Sequence, residues 1–152
     1  MERALGFRAE AHKLYWAVVE GTKTSPILVA YDSAAAPVKI SEASALSWYR
    51  DRVKHLVETY KPNIAMVRSA EPTARGSRRE GPWLRSRIEG VLLQTIDSYG
   101  LKVSIGALAT ISGKLGAQAK DYLESGELRG LDLSKIPSYA KEAVLVAVAA
   151  LP

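Results

Sequence analysis

Positive charge is concentrated in one stretch of the sequence, between residues 68 and 87. The stretch holds six arginines against two acids, Glu71 and Glu80, so it carries a net charge of +4 of the +5 on the whole chain. The planar guanidinium of arginine can make two hydrogen bonds to one phosphate, and a basic cluster is typical of a nucleic-acid-binding surface. The stretch therefore predicts phosphate contacts at Arg68, Arg75, Arg78, Arg79, Arg85 and Arg87.

Two features of this stretch have a second interpretation. The loop-forming residues Gly76, Ser77, Gly81 and Pro82 also suit a solvated surface loop with no ligand. Trp83 lies among the arginines, where its ring can stack on an unpaired base. We expect instead that Trp83 packs in the core, on one helical face with Ile88, Val91 and Leu92.

Two predicted core strands each end in an arginine. Residues 3 to 7 lead into Arg8, and residues 64 to 67 lead into Arg68. A guanidinium has five donors and no acceptor, so it binds carboxylate or phosphate and cannot ligate a metal cation. The strand ends thus favour an ion-pair cluster or an anion-binding pocket.

Composition sets broad limits on the class of protein. A chain of 152 residues with 47% hydrophobic content can bury one ordinary core, and we expect a single domain over residues 1–152. The absence of cysteine excludes thiolate zinc sites and a cysteine nucleophile. The longest apolar run, residues 143 to 151, is far shorter than the roughly 20 residues that cross a bilayer. We expect a cytoplasmic protein without a membrane partner.

Residue periodicity predicts the order of the elements. Three strands joined by short turns come first, and they form an antiparallel meander. A helix, a strand, a second helix ended by Gly100, and a fifth strand follow. The predicted strands cover residues 3–8, 13–20, 27–31, 64–67 and 101–105, and the helices cover 41–60, 83–99, 112–123 and 138–151, with an irregular link over 126–137.

This order predicts an α/β fold with a mixed five-stranded sheet and helices on both faces. The final helix is apolar nearly all round, so we expect it to be packed on both sides. No glycine-rich dinucleotide or P-loop motif follows a predicted strand, which argues against those two ligand classes.

The chain resembles the RNase H-like superfamily over almost its whole length. The residues that carry the resemblance are Leu5-Gly6-Phe7 in the first strand, residues 61–67 at the fourth, and residues 140–147 in the last helix. The sequence is most similar to the RuvC-type resolvase branch, and to a small bacterial group of RuvC-like proteins within it.

The resemblance implies a two-metal nuclease site, with acids at the ends of the first and fourth strands and at the start of the last helix. Carried over to this sequence, these positions are Arg8, Arg68 and Glu142, so one acid of three remains. Two divalent ions roughly 4 Å apart need several oxygen ligands. We therefore expect no metal and no catalytic residue at this vestigial site.

Neighbouring acids leave an alternative open. Glu10 follows Arg8 by two residues and Glu71 follows Arg68 by three. With Glu142 they make a relocated set that can hold Mg²⁺ or Mn²⁺.

Three functions are therefore distinguished. The first is a non-catalytic RuvC-like domain, or pseudo-nuclease, that binds nucleic acid through its arginine-rich loop. The second is a divergent nuclease that uses the relocated acids. The third is a scaffold that pairs with a second copy of the chain or another protein, with Arg8 and Arg68 in ion pairs with acids such as Glu142.

Overall fold

An antiparallel meander forms one half of the central sheet. In the computed structural model, which describes residues 1–71 and 80–152, short turns join strands β1, β2 and β3. Strands β4 and β5 extend the sheet in parallel beyond β1, in the order β3-β2-β1-β4-β5. The bounds are β1 (Arg3–Ala9), β2 (Leu14–Gly21), β3 (Pro26–Ala34), β4 (Ile64–Arg68) and β5 (Lys102–Gly106). The predicted mixed five-stranded sheet is confirmed.

Two long helices connect the parallel strands and cover one face of the sheet. Helix α1 (Glu42–Tyr60) leads into β4, and helix α2 (Glu80–Ser98) leads into β5. The side chain of Ser41 caps α1 by accepting a hydrogen bond from the backbone N–H of Ser44 at 3.1 Å. Apolar side chains of both helices pack against Leu5, Phe7 and Val67 of the sheet.

The C-terminal third differs from the prediction in two places. The predicted helix over residues 112–123 is two helices, α3 (Leu108–Leu115) and α4 (Ala119–Ser125). They separate at Gly116, whose φ of 70° is the left-handed value that ends a helix. The predicted irregular link contains a two-stranded hairpin of β6 (Glu127–Leu128) and β7 (Leu131–Asp132).

The final helix, α5 (Ser138–Ala150), lies between the sheet and the two short helices. Ten of its thirteen residues are buried, which fits the prediction that it is packed on both sides. Of the helices in the two described ranges, none combines the length and apolar character needed to cross a membrane.

Gly6 allows α5 to lie directly on β1. A Cβ atom at this position would lie 2.3 Å from the carbonyl oxygen of Ala143 and 2.5 Å from the backbone nitrogen of Ala147. Only glycine fits such a close approach of helix and strand backbones. Because side chains alternate along a strand, Gly6 and Arg8 face the same side. The close approach therefore brings the first turns of α5 next to Arg8.

Candidate functional site

Two arginines lie opposite each other at the ends of neighbouring strands. Arg8 of β1 and Arg68 of β4 are paired in the parallel register. Their side chains point to the face that α5 covers, and both residues are buried, with exposed fractions of 6% and 5%. The topology of the sheet thus holds two guanidinium groups side by side under one helix.

Glu142 of α5 joins these two arginines. Its Oε2 accepts a hydrogen bond from Nε of Arg8 at 3.1 Å, and its Oε1 accepts one from Nε of Arg68 at 3.0 Å. The carboxylate is itself buried, at 8% exposure. The structure therefore brings together the three residues that the resemblance aligned, with both oxygens of the carboxylate engaged by cationic donors.

Two further acids pair with the outer edges of the arginines. Glu10 Oε1 lies 2.7 Å from Arg8 NH1, and Glu71 Oε1 lies 3.2 Å from Arg68 NH2. Glu71 Oε1 also accepts a hydrogen bond from the backbone N–H of Leu108 at 3.2 Å. We refer to Arg8, Arg68, Glu142, Glu10 and Glu71 as the central cluster.

The contact between Glu10 and Arg8 differs from the others in its geometry. The two atoms are close enough for an ion pair, yet Glu10 Oε1 is buried and has no partner in hydrogen-bond geometry. The contact is therefore an ion pair without a hydrogen bond, because a hydrogen bond also requires alignment of donor and acceptor. Glu10 is the least well satisfied carboxylate of the central cluster.

A second buried ion pair lies beside the central cluster on α2. Arg85 Nε donates to Glu89 Oε2 at 3.2 Å, and Arg85 NH2 reaches the carbonyl oxygen of Arg68 at 3.4 Å. Burial raises the pKa of the Glu89 carboxyl, an effect that the charge of Arg85 partly opposes. Burial, reinforced by the charge of Arg8, lowers the pKa of Arg85. Sequence reasoning missed Glu89, although its i,i+4 spacing from Arg85 is a recognisable helical pair.

A cleft of about 400 Å³ opens between β1, β4 and the start of α2. The buried Arg8 and Arg68 and the partly buried Arg85 line it. The outer acids Glu10 and Glu71 lie on its walls, together with Gly81 and Pro82 of α2. The cleft therefore gives solvent access to the outer side of the central cluster, whereas Glu142 closes the inner side.

The ligand set of this cluster does not fit a pair of divalent ions. Magnesium and manganese need several free oxygen ligands, and here each carboxylate already faces a guanidinium that would repel a cation. The relocated set Glu10, Glu71 and Glu142 surrounds the same two arginines. Within residues 1–71 and 80–152, no group of three or more acids or histidines is arranged to hold a metal ion.

The residues predicted to contact phosphate fall into three groups. Arg75, Arg78 and Arg79 lie outside the described residues. Arg68 is buried and Arg85 is partly buried, and both are engaged in ion pairs, so neither is an exposed contact in this structure. Arg87 is half-exposed and pairs with Glu42 at 2.7 Å on the surface.

The expectation that Trp83 packs in the core is wrong. Its side chain is 53% exposed near the start of α2. The buried face of this helix is formed by Ile88, Leu92 and Ile96, at intervals of four residues. Ile88 lies five positions after Trp83, which places the two side chains about 140° apart around the helix. Trp83 therefore projects away from the core, and it directly follows Gly81 and Pro82, which line the cleft.

The fold is that of Holliday junction resolvases of the RuvC type. Thermus thermophilus RuvC, solved in complex with a Holliday junction substrate, superposes with a TM-score of 0.78 at 16% sequence identity, covering 98% of this chain and 92% of that one. The yeast mitochondrial Holliday junction resolvase Ydc2 gives a TM-score of 0.64 at 12% identity, over 97% of this chain and 77% of that one.

A viral enzyme shares the same architecture at lower similarity. The fowlpox virus resolvase, solved with Holliday junction DNA, has a TM-score of 0.56 at 10% identity, covering 97% of this chain and 95% of that one. No family model matches the sequence, and no curated protein matches it. At sequence identities of 10–16%, these similarities establish the fold alone. This chain therefore has the RNase H-like fold of the RuvC type, as its sequence resemblance implied.

Proposed function

We propose that this chain is a non-catalytic RuvC-type domain that binds nucleic acid, with four-way DNA junctions as its preferred form. The observation that carries the proposal is the double engagement of Glu142, whose two oxygens accept hydrogen bonds from Arg8 and Arg68. An arginine-neutralised carboxylate holds the two strands and α5 together and has no free oxygen for a metal ion.

The charge of the central cluster supports the absence of metal-dependent cleavage. A two-metal mechanism needs carboxylates that offset about four positive charges. Arg8 and Arg68 instead add two positive charges at the positions where the resemblance places acids. A conformational change that freed Glu142 for a cation would leave both guanidinium groups buried without their shared partner, which is unfavourable.

Three observations support nucleic acid as the partner. The chain carries a net charge of +5. Trp83 and Arg87 are exposed on α2, where a ring and a guanidinium can contact a base and a phosphate. The fold is shared with two resolvases that were solved with Holliday junctions. Arg75, Arg78 and Arg79 remain proposed phosphate contacts on sequence grounds.

The test is a binding titration of labelled four-way junction, duplex, single-stranded DNA and RNA, followed by fluorescence anisotropy. We expect the junction to bind with the lowest Kd. If about four phosphates are contacted, affinity should fall roughly a hundredfold as the salt concentration rises fourfold. Binding should be the same in EDTA and in magnesium. Undetectable binding of all four forms at low salt would contradict the proposal.

A cleavage assay separates this proposal from a divergent nuclease. The junction is incubated with excess protein in Mg²⁺ and in Mn²⁺, and strand integrity is read on a denaturing gel. The non-catalytic role predicts intact strands. Metal-dependent products that disappear in the Glu71→Gln variant would identify a nuclease that uses the relocated acids, because Glu71 belongs to that set and its side chain is 52% exposed.

A further inference from the structure

We propose that the cleft over the central cluster is a phosphate-binding site in which the carboxylate of Glu10 occupies the position of the phosphate and is displaced when a phosphate binds. The inference deepens the proposed nucleic-acid binding and rests on it only for the source of the phosphate. It concerns the outer edges of Arg8 and Arg68, which face the cleft, whereas their Nε atoms are anchored on Glu142.

The arginines are positioned in the manner of a preformed anion site. Glu142 fixes Arg8 and Arg68 from the inner side through one hydrogen bond each. Of the terminal guanidinium nitrogens, NH1 of Arg8 and NH2 of Arg68 contact carboxylates on the cleft side. NH1 of each arginine also donates a hydrogen bond to a backbone carbonyl, that of Ala9 for Arg8 and that of Ser69 for Arg68. Buried guanidinium groups held by a second partner lose little entropy when they bind an anion. Arg85, 12% exposed in its side chain, lines the same cleft and adds a third positive charge.

The two cleft-side carboxylates are held unequally. Glu71 Oε1 has a second partner in the backbone N–H of Leu108. Glu10 Oε1 is buried beside Arg8 without a hydrogen bond of good geometry. A buried oxygen in this state carries a desolvation cost that a better-aligned acceptor would avoid. The Glu71 side chain is the more exposed of the two, at 52% against 33% for Glu10, but displacing Glu71 breaks its hydrogen bond to Leu108. Among the described residues Glu10 Oε1 has no such bond to lose, so Glu10 is the carboxylate that a better acceptor displaces at the lower cost.

Charge balance favours a phosphodiester as the replacing group. Three arginines (Arg8, Arg68 and Arg85) face four glutamates (Glu10, Glu71, Glu89 and Glu142) in and beside the cleft. When Glu10 turns outward, one negative charge leaves the cleft. A phosphodiester restores that single charge and offers an oxygen on a tetrahedral centre to NH1 of Arg8, the nitrogen that Glu10 contacted.

The central test is the Glu10→Gln variant. Glutamine keeps the shape of the side chain and removes the competing charge, so junction DNA should bind about two- to fivefold more tightly, the range of a partly exposed ion pair. Glu20→Gln is the matched control. Glu20 is 25% exposed and pairs with Arg3 at 3.0 Å. It lies on β2 opposite Arg3, which is at the far end of β1 from the cleft, about 20 Å away. Glu20→Gln changes the net charge by the same amount as Glu10→Gln. Because Glu20 is remote from the cleft, the junction affinity of this variant should stay near that of the wild type.

A second readout locates the ligand and identifies its source. The Nε–H resonances of Arg8, Arg68 and Arg85 are followed by NMR while inorganic phosphate or a junction oligonucleotide is added. Shifts of the Arg8 and Arg68 signals with both ligands, larger in Glu10→Gln, support a phosphate site that nucleic acid uses. Shifts with inorganic phosphate, together with no junction binding in the anisotropy titration, support the site for a free phosphate and contradict the proposed nucleic-acid function.

Two results would overturn the inference while leaving the proposed function in place. One is equal junction affinity in Glu10→Gln and Glu20→Gln. The other is junction binding that leaves the arginine Nε–H resonances of the cluster unmoved.

Discussion

Arg8 lies directly opposite Arg68 in the parallel pairing of β1 and β4, and the two side chains share a single carboxylate. Each arginine donates its Nε–H to a different oxygen of Glu142. Like charges at paired strand positions repel each other, and an anion that binds both of them offsets this repulsion. The buried glutamate of α5 is therefore the residue that makes this pairing stable, and it links the sheet to the helix at the candidate site.

The Glu142→Gln variant should lower the free energy of unfolding by about 3 kcal/mol. The substitution leaves two buried guanidinium groups without their shared counter-ion, which is the costly way to break a buried ion pair. Chemical denaturation measures the change. Glu124→Gln is the control, because Glu124 is 66% exposed and lies 3.7 Å from Lys120, so its loss should change stability by less than about 0.5 kcal/mol. Equal stability of the two variants would mean that Glu142 is not a structural counter-ion.

Gly6→Ala should destabilise the protein by about 3 kcal/mol or more. Its Cβ would collide with the backbone of Ala143 and Ala147, and backbone cannot move aside as a flexible side chain can. Gly90→Ala on α2 is the paired control. A Cβ at Gly90 meets no atom within 4 Å, so alanine should raise helix stability by roughly 0.5–1 kcal/mol. Thermal unfolding of both variants should show shifts of opposite sign, and a tolerated Gly6→Ala would contradict the close packing of α5 on β1.

Trp83→Ala should weaken junction binding by about 1–3 kcal/mol, the usual contribution of a ring stacked on a base. Because Trp83 is half-exposed, the stability of the variant should stay within about 0.5 kcal/mol of the wild type. Tyr31→Ala serves for comparison, since Tyr31 is 40% exposed on β3, at the far edge of the sheet from β4 and β5. Anisotropy titrations compare the three proteins. Equal losses in the two variants would remove Trp83 from the binding surface.

Glu89 should make stability depend on pH in a definite direction. Its carboxyl has a pKa raised by burial above the ordinary value of 4.5. Between 4.5 and the raised pKa, the folded protein binds more protons than the unfolded chain, so stability falls as pH rises through that window. The contribution is fully present below the window and lost above it.

The comparison with Glu89→Gln isolates this contribution, because glutamine does not titrate. The stability of the wild type relative to the variant should decline as pH rises from about 4.5, as measured by denaturation at a series of pH values. A relative stability that increases with pH would show that the pairing with Arg85 outweighs burial at Glu89.

The convergence of the candidate site could be predicted from the sequence because it depends on regular geometry. Two parallel strands that each end in an arginine place those arginines at the same edge of a sheet. Periodicity predicted the helix over residues 138–151, and the resemblance added the position of Glu142 near its start. The same regularity predicted a mixed five-stranded sheet, since a meander followed by two helical crossovers leaves few alternative topologies. The spatial order of the strands comes from the structure.

Three features of the structure could not be predicted from the periodicity of the sequence: the direction of Trp83, the pairing of Arg68 with Glu71, and the break between α3 and α4. The outward direction of Trp83 follows from which face of α2 meets α1 and the sheet, and several apolar residues of this helix were compatible with either face. The pairing of Arg68 with Glu71 depends on the chain path after β4. The glycine at position 116 is a sequence signal for the end of a helix, and the structure shows that α3 ends there. The helical pattern of apolar residues on both sides of Gly116 led to the prediction of one continuous helix.

A domain whose family metal site is occupied by an arginine-neutralised cluster should bind nucleic acid without a metal and without cutting it. The most direct measurement is a single-turnover incubation of labelled four-way junction with excess protein, in EDTA and in Mn²⁺, in which the bound fraction and strand integrity are read from the same samples. We predict the same bound fraction in both conditions, with every strand intact. Binding that requires Mn²⁺, or cleaved strands that appear only in Mn²⁺, would contradict the claim.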